Sequence, residues 1–469
     1  MRLLFILNEA APLYKLGGLG DVGSGLSQAL LAAGVDIRLC LPYHPQIKVS
    51  DRHLVATGEA IFAAEPLTYQ VYLTYLPGSA VPIYLIAEAR YLAVTSDALD
   101  KDVAKAAVFC LCLADFLSRF SAWKPQLLHL HDWHTALLPL LLKHRYDLNL
   151  PSLLTIHNHR YFGQAPLSLL HDLNLNPDLC QVLTWDGQDQ TLNLLLEGVI
   201  HADAVTTVSP TYRQELLQEP GVLFDALRTK VGRFYAVLNG LDYHTWDPQT
   251  DPHIDRRYTT ATAPVAKSAN KQALCRRLGL AVISSTPLIV FIGRLDPQQK
   301  GLSLLLQGFQ TNRFPPPKAQ FILLGTGDPQ LERALHQAAD RLPTVHLATR
   351  YDEALAHQLY AAADIIIIPS SYEPCGLIQL IAQRYGTLPV AHAVGGLIDT
   401  IKPPTTGFLY TPNTLDQLLS ALDQALSYLH SPSETQFYTA LMSLELSWKA
   451  ATPIYIDLYT ATISGDMKG

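Results

Sequence analysis

Long apolar runs, runs of basic residues and cysteines at metal-ligand spacing are all missing from this chain of 469 residues, and each absence narrows its possible roles. No stretch approaches the ~18 uninterrupted apolar residues that a membrane-crossing helix needs, so no helical span is expected. The chain opens with Arg2 and then five apolar residues, Leu3 to Leu7, before Asn8-Glu9. That run is short for a secretory leader and lacks a cleavage pattern, which predicts a cytoplasmic protein, or the mature form of an organelle enzyme. Charged residues make up only 16%, the formal charge is −7 and no basic run occurs, so neither nucleic acid nor an anionic membrane is an expected partner. The six cysteines, Cys40, Cys110, Cys112, Cys180, Cys275 and Cys375, are scattered, which suits a reducing compartment. No repeat with a period of ~20–50 residues is visible.

What is abundant is apolar: 49% of residues are hydrophobic and the mean hydropathy is +0.13, a composition for large buried sheets. The length suits two domains and an appended helix. Leu3–Leu7, Ile37–Leu41, Val81–Ile86, Leu127–Leu130, Ser152–Ile156, Ala204–Val208 and Tyr235–Leu238 read as strands, separated by helical spacing such as Val22–Ala33, Val103–Phe120 and Thr135–His144. A second alternating set follows at Leu288–Ile292, Gln320–Leu324, Val345–Leu347, Ile365–Ile368 and Leu388–Ala391. The fold class predicted is α/β, with two Rossmann-like domains whose mainly parallel sheets face a central cleft. The expected divisions are a first domain over 1–245, a connection over 246–266, a second domain over 267–440, and a C-terminal helix over 441–469 that crosses back to the first domain. In such sheets ligands bind beyond the carboxyl ends of the strands, so two facing sheets suit a two-part substrate.

Four clusters carry chemistry. In Lys15-Leu16-Gly17-Gly18-Leu19-Gly20-Asp21-Val22 a strand enters a glycine-rich turn before a helix, where free backbone N–H groups and the helix dipole favour an anion. Lys15 adds a point charge and Asp21 a carboxylate for a hydroxyl, although a plain tight turn has the same spelling. Arg294 and Lys300 follow a strand end, where Arg294 can clamp diphosphate oxygens and Lys300 can neutralise a leaving group. Glu373, in Tyr372-Glu373-Pro374-Cys375-Gly376-Leu377, suits sugar hydroxyls or a cationic sugar, and Gly376-Leu377 can start a helix that receives phosphate. Cys375 lacks a nearby histidine base and reads as a packed thiol. His157 and Asn158 end another strand, and an imidazole and amide over a sugar fit there better than a metal site assembled with His129, His131, Asp132 and His134.

Seven motifs run in order over nearly the whole chain: the Lys15–Val22 loop; His131-Asp132-Trp133-His134; Ala204-Val205-Thr206-Thr207-Val208-Ser209-Pro210-Thr211-Tyr212; Asn239-Gly240-Leu241-Asp242; Arg294 with Lys300-Gly301; Glu373-Pro374-Cys375-Gly376-Leu377; and Gly395-Gly396-Leu397-Ile398-Asp399-Thr400. Together they resemble the bacterial glycogen synthase and plant starch synthase family, retaining glucosyltransferases of the GT-B fold. The resemblance implies transfer of glucose from ADP-glucose to the non-reducing end of an α-1,4-glucan or maltooligosaccharide, with no metal and no cofactor beyond the donor. It implies that Lys15, Gly17, Gly18 and Asp21 approach the phosphates and the glucose, and that Arg294 and Lys300 hold the diphosphate. By the same resemblance Glu373 orients the glucose beside Cys375, Gly376 and Leu377, His157 contacts the sugar, Asn158 faces the acceptor, Asp132 belongs with the substrate-binding set, and Tyr351 stacks on adenine. The string at 373–380 resembles plant starch synthases, including the granule-bound type, more than many bacterial enzymes, so the plastid stroma or the starch granule stand beside the cytoplasm as expected locations.

Departures gather in the first half. His159-Arg160-Tyr161-Phe162-Gly163-Gln164 replaces the usual Ala-Tyr-Gln-Gly after the His-Asn pair, the segment from Ala89 to Asp102 is short, and the Arg-Phe pair usual just beyond it is absent, with Val103-Ala104 nearby. Leu196-Glu197-Gly198 replaces the common Lys-Gly or Lys-Ala-Gly. Two alternatives therefore stay open: a glucan-binding or initiation-assisting homologue with slow turnover, and a transferase using UDP-glucose or another acceptor. Oligomeric state is not legible.

Overall fold

The computed structural model describes residues 1–94, 99–120, 122–176, 191–281, 286–429 and 434–466; Cys180 and part of the 89–102 segment lie outside them. The chain forms two compact units, Met1–Gly240 with Trp448–Gly469, and Leu241–Ser447.

The strands of the first unit are β1 (Arg2–Ile6), β2 (Asp36–Pro42), β3 (His53–Phe62), β4 (Glu65–Tyr75), β5 (Pro82–Glu88), β6 (Leu127–His131), β7 (Ser152–Ile156), β8 (Gln164–Pro166), β9 (Thr191–Asn193), β10 (Ala204–Thr207) and β11 (Phe234–Ala236). Nine of these, among the described residues, make one sheet in the order β11-β10-β7-β6-β1-β2-β5-β4-β3. The central strands β6 and β7 are buried at every position and mainly apolar, as parallel strands covered on both faces must be, with His129, His131, Ser152 and Thr155 as the polar exceptions. Every strand expected in this half is present within a residue or two at its ends, but β3 and β4 were not foreseen. They form an antiparallel hairpin at the sheet edge whose turn is Ala63-Ala64, with φ of 51° and 62°. Such turns normally announce themselves with Asn or Gly. Here the Ala63 N–H is held by the Asp172 carbonyl at 2.8 Å and the Ile61 carbonyl by Arg145 at 2.8 Å, so tertiary bonds replace the usual turn residues.

The helix Gly18–Ala32 starts within the glycine loop, four residues ahead of the expected Val22. Its glycines are needed for close approach: a Cβ on Gly23 would lie 2.4 Å from Leu7, and one on Gly25 would lie 2.2 Å from the Trp448 ring. Trp448 opens the helix Trp448–Ser464, which shares a core with Leu3, Phe5, Val22 and Leu26 through Trp448, Tyr455 and Tyr459. A helix starting at 441 does not form. One helix ends at Met442 and the next begins at Trp448.

In the second unit β12 (Leu288–Ile292), β13 (Gln320–Leu324), β14 (Val345–Ala348), β15 (Ile365–Ile368), β16 (Leu388–His392) and β17 (Phe408–Tyr410) form a parallel sheet in the order β14-β13-β12-β15-β16-β17. The stretch 246–266, read from sequence as a connection, is part of this unit's core: Trp246, Ile254 and Tyr258 are buried in it. Trp246 stacks on His357 at 4.0 Å, and Asp251 accepts from Tyr385 at 2.5 Å while pairing with His357 at 2.8 Å. Apolar aromatics spaced among prolines carry no period, so the stretch reads as linker although it packs as core.

Candidate active site

In the first unit the loops after β1, β6 and β7 carry the predicted residues. The glycine loop departs from the expectation that its amides are open. Glu9, which sequence reasoning missed, is buried and accepts from the Leu16 N–H and from the Gly17 N–H, the latter at 3.1 Å. Two of the amides meant for an anion are thus spent on a carboxylate, whose pKa burial raises. Lys15 and Asp21 face each other at 2.7 Å. Nothing in the spacing marks Glu9 except its place just beyond the first apolar run.

Asp132 sits at a φ of 53°, beyond the end of β6. Its Oδ1 accepts from the His157 N–H at 2.7 Å and the Asn158 N–H at 3.3 Å, so it holds the turn that presents His157. Burial raises its pKa to about 7 against the pull of those two amides. His131 Nδ1 meets His157 Nε2 at 2.9 Å, and His129 bonds to Thr155 at 2.7 Å and to Tyr459 at 2.8 Å. His129 and His131 are therefore engaged in hydrogen bonds to buried neighbours, and His134 stacks on Trp133 with ring centroids 3.9 Å apart. Asn158 Oδ1 caps the Arg160 N–H at 3.0 Å. Of the departures, His159 bonds to Tyr212 at 2.5 Å, and Gly163, at a φ of 66°, lies against Trp133, where a Cβ would come within 2.4 Å. Glu197 is fully buried, 3.5 Å from His201 one helical turn on. A cavity of about 340 Å³ beside the glycine loop is lined by residues that include Asn8, Tyr14, His44, Lys105, Ala106 and His134. Apart from His134, none of them stood out in sequence, because only the fold brings their strand ends and helix face together.

In the second unit all six strands run parallel, so the loops after β12, β14, β15 and β16 share one edge of the sheet. Lys300 and Glu373 meet there at 2.7 Å, both buried, and Ser370 donates to the same Glu373 Oε2 at 2.9 Å. Arg294 donates to Gln299 at 3.0 Å, and the Ser371 N–H donates to the Gln299 carbonyl at 2.7 Å, tying the two loops together. Gly301 has a φ of 65°, and a Cβ there would fall 1.8 Å from the Pro369 carbonyl oxygen, so only glycine lets Lys300 stand this close to the β15 loop. Cys375 is buried, as a packed thiol should be. Gly376, at a φ of 75°, and Leu377 precede the helix Ile378–Arg384, and Gln379 donates back to the Cys375 and Gly376 carbonyls at 2.9 Å. The Gly396 N–H donates to the Glu373 carbonyl at 3.0 Å. Tyr351, 74% exposed, follows β14 on the same edge.

Residues 2–229 match the family described as "Starch synthase catalytic domain", and residues 286–428 match "Glycosyl transferases group 1". Glycogen synthase 2 of Nitrosococcus oceani is 35% identical, over 99% of this chain and 98% of its own length. The chain belongs to the glycogen and starch synthase family. Glycogen synthase of Thermotoga maritima is 34% identical over 99% of both chains. The catalytic domain of starch synthase IV from Arabidopsis thaliana, solved with ADP and acarbose, superposes with a TM-score of 0.88 at 30% identity, covering 98% of this chain and 99% of that one. Sucrose-phosphate synthase of Thermosynechococcus elongatus has a TM-score of 0.63 at 20% identity and shares the fold. This member of the glycogen and starch synthase family is accordingly a glycosyltransferase of the GT-B fold. No helix among the described residues is long and apolar enough to cross a membrane.

Proposed function

We propose that the chain elongates an α-1,4-glucan, moving glucose from ADP-glucose to the non-reducing end with retention of configuration and without a metal or further cofactor. The observation that carries the donor side is the buried Lys300–Glu373 pair with Arg294 on the same sheet edge. An ammonium has three hydrogens, so with one spent on Glu373 Lys300 keeps two for oxygens of the leaving diphosphate. Both bonds to Glu373 land on Oε2, which leaves Oε1 for sugar hydroxyls. Arg294 adds a planar fork for the second phosphate. In this reading Cys375, Gly376 and Leu377 line the sugar, Tyr351 stacks on the base, Lys15, Gly17, Gly18 and Asp21 approach the glucose, His157 contacts it, and Asn158 faces the acceptor. The leaving phosphate takes the acceptor's proton, and rate enhancement comes from positioning and electrostatics. ADP and acarbose bound to the Arabidopsis starch synthase support a nucleotide and a glucan-like ligand here.

Lys105 and Ala106, next to the Val103-Ala104 departure, line the cavity of the first unit and favour a second reading, a glucan-binding homologue with slow turnover. One assay separates the readings: purified protein with radiolabelled ADP-glucose or UDP-glucose, with and without maltooligosaccharide. Lengthening that depends on ADP-glucose is the expected result. Nucleotide binding without growth supports the slow homologue, and growth from UDP-glucose alone overturns the donor assignment.

A further inference from the structure

His131 and His157 stand at the carboxyl ends of the neighbouring strands β6 and β7, and their facing nitrogens, Nδ1 and Nε2, are 2.9 Å apart. A contact this short between two ring nitrogens needs one proton between them. Burial pushes the pKa of His157 down to about 3 and holds those of His131 and His129 well below the ordinary value, so each ring is neutral and carries one N–H.

The surroundings of His131 decide which way the proton points. The residue is fully buried, packed against the rings of Phe5 and His129 with centroids 4.3 and 4.1 Å away, and its Nε2 has no hydrogen-bond partner among the described residues. His129 cannot serve, because Thr155 and Tyr459 engage its two nitrogens. A proton on His131 Nε2 would bury an N–H with no acceptor. A proton on Nδ1 leaves there only the lone pair of an aromatic nitrogen, the cheaper orphan. We propose that His131 donates from Nδ1 to His157 Nε2 and thereby fixes His157 as the Nδ1–H tautomer, so that His157 offers a hydrogen-bond donor to an oxygen of the bound sugar. The nitrogen that carries the proton in one imidazole is thus set by the ring behind it. The inference rests on the reading that His157 contacts the glucose; His131 is a positioning residue acting through it.

Protein labelled with ¹⁵N-histidine and read by long-range proton–nitrogen correlation near neutral pH tests the tautomer, with His157 assigned by difference from His157→Gln. Nδ1 of His157 is expected in the protonated range and Nε2 in the unprotonated range. His131→Phe keeps a ring and drops the donor; it should shift His157 toward the Nε2–H form and lower kcat roughly tenfold or more, with the donor KM changed by less than about threefold. His131→Asn, whose amide nitrogen can occupy the Nδ1 position, should recover most of kcat. A wild-type His157 protonated on Nε2, or equal losses in the Phe and Asn variants, overturns the proposal. Should His131→Phe not fold, the wild-type spectrum decides. Full activity in His157→Gln would instead sink the sugar-contact reading and leave the measured tautomer standing.

Discussion

Lys300 and Glu373, proposed above to hold the donor, meet in a buried ion pair that bears on stability as well. Each alone would be a buried charge, so Lys300→Ala or Glu373→Ala is expected to cost about 3–5 kcal/mol of stability, because the partner stays behind unpaired. The same substitutions should lower the transfer rate at least ~100-fold, the scale of losing one electrostatic contact in the transition state. The double variant Lys300→Met with Glu373→Leu separates the two effects: denaturant melts should show most of the stability restored while activity stays lost. A double variant as unstable as the singles would mean that the pair does not balance its own burial. Both residues were legible in sequence, because each follows an apolar run within a few positions, where a parallel sheet must present its ligand-binding loops. Glu9 and the holding role of Asp132 were not. Their bonds go to backbone amides, at Leu16 and Gly17 for Glu9 and at His157 and Asn158 for Asp132, and no side-chain spacing encodes an amide. For that reason the electrostatics of the Lys15–Val22 loop were misread.

Among the elements, the parallel strands were readable because burial on both faces forces mainly apolar runs, and the β3–β4 hairpin was not, because its turn depends on Asp172 and Arg145 from elsewhere. A similar long-range device secures two helix ends in the second unit. Lys267, on the helix Ala263–Arg277, is buried, and its three ammonium hydrogens are shared among the Tyr360, Ala361 and Tyr385 carbonyls at 3.1, 3.3 and 3.0 Å and Thr387 Oγ1 at 2.8 Å. Those carbonyls belong to the last turns of Glu353–Ala362 and to the residue just after Ile378–Arg384, where helices leave acceptors without partners. Desolvation lowers the Lys267 pKa to about 7 from 10.5. The unfolded chain therefore holds this proton up to about pH 10.5 while the folded protein releases it near 7, and stability from this group must rise with pH across that window. Urea melts of wild type and Lys267→Met at a series of pH values should show the difference between them growing in favour of wild type from pH 7 upward. A difference that stays constant over that range would show that Lys267 keeps its charge when buried.

The whole molecule places the second unit inside the first along the chain, since the first is completed by residues from Trp448 onward. Trp448→Ala should therefore weaken a unit that ends, by sequence, more than two hundred residues earlier. The expected loss is about 3–5 kcal/mol, with hydrogen exchange rising in β1, β2 and Gly18–Ala32 and unchanged in β12 and β13. Exchange rising equally in both sheets would contradict that assignment. The bond from the Leu241 N–H to the Leu446 carbonyl, 2.7 Å long, brings the second unit's entry and exit side by side. During synthesis this arrangement imposes an order. A ribosome delivers every residue of the second unit's core before it delivers Tyr455 and Tyr459, so the half that starts first must wait, its sheet uncovered along Leu3 and Phe5, until the other has had time to fold.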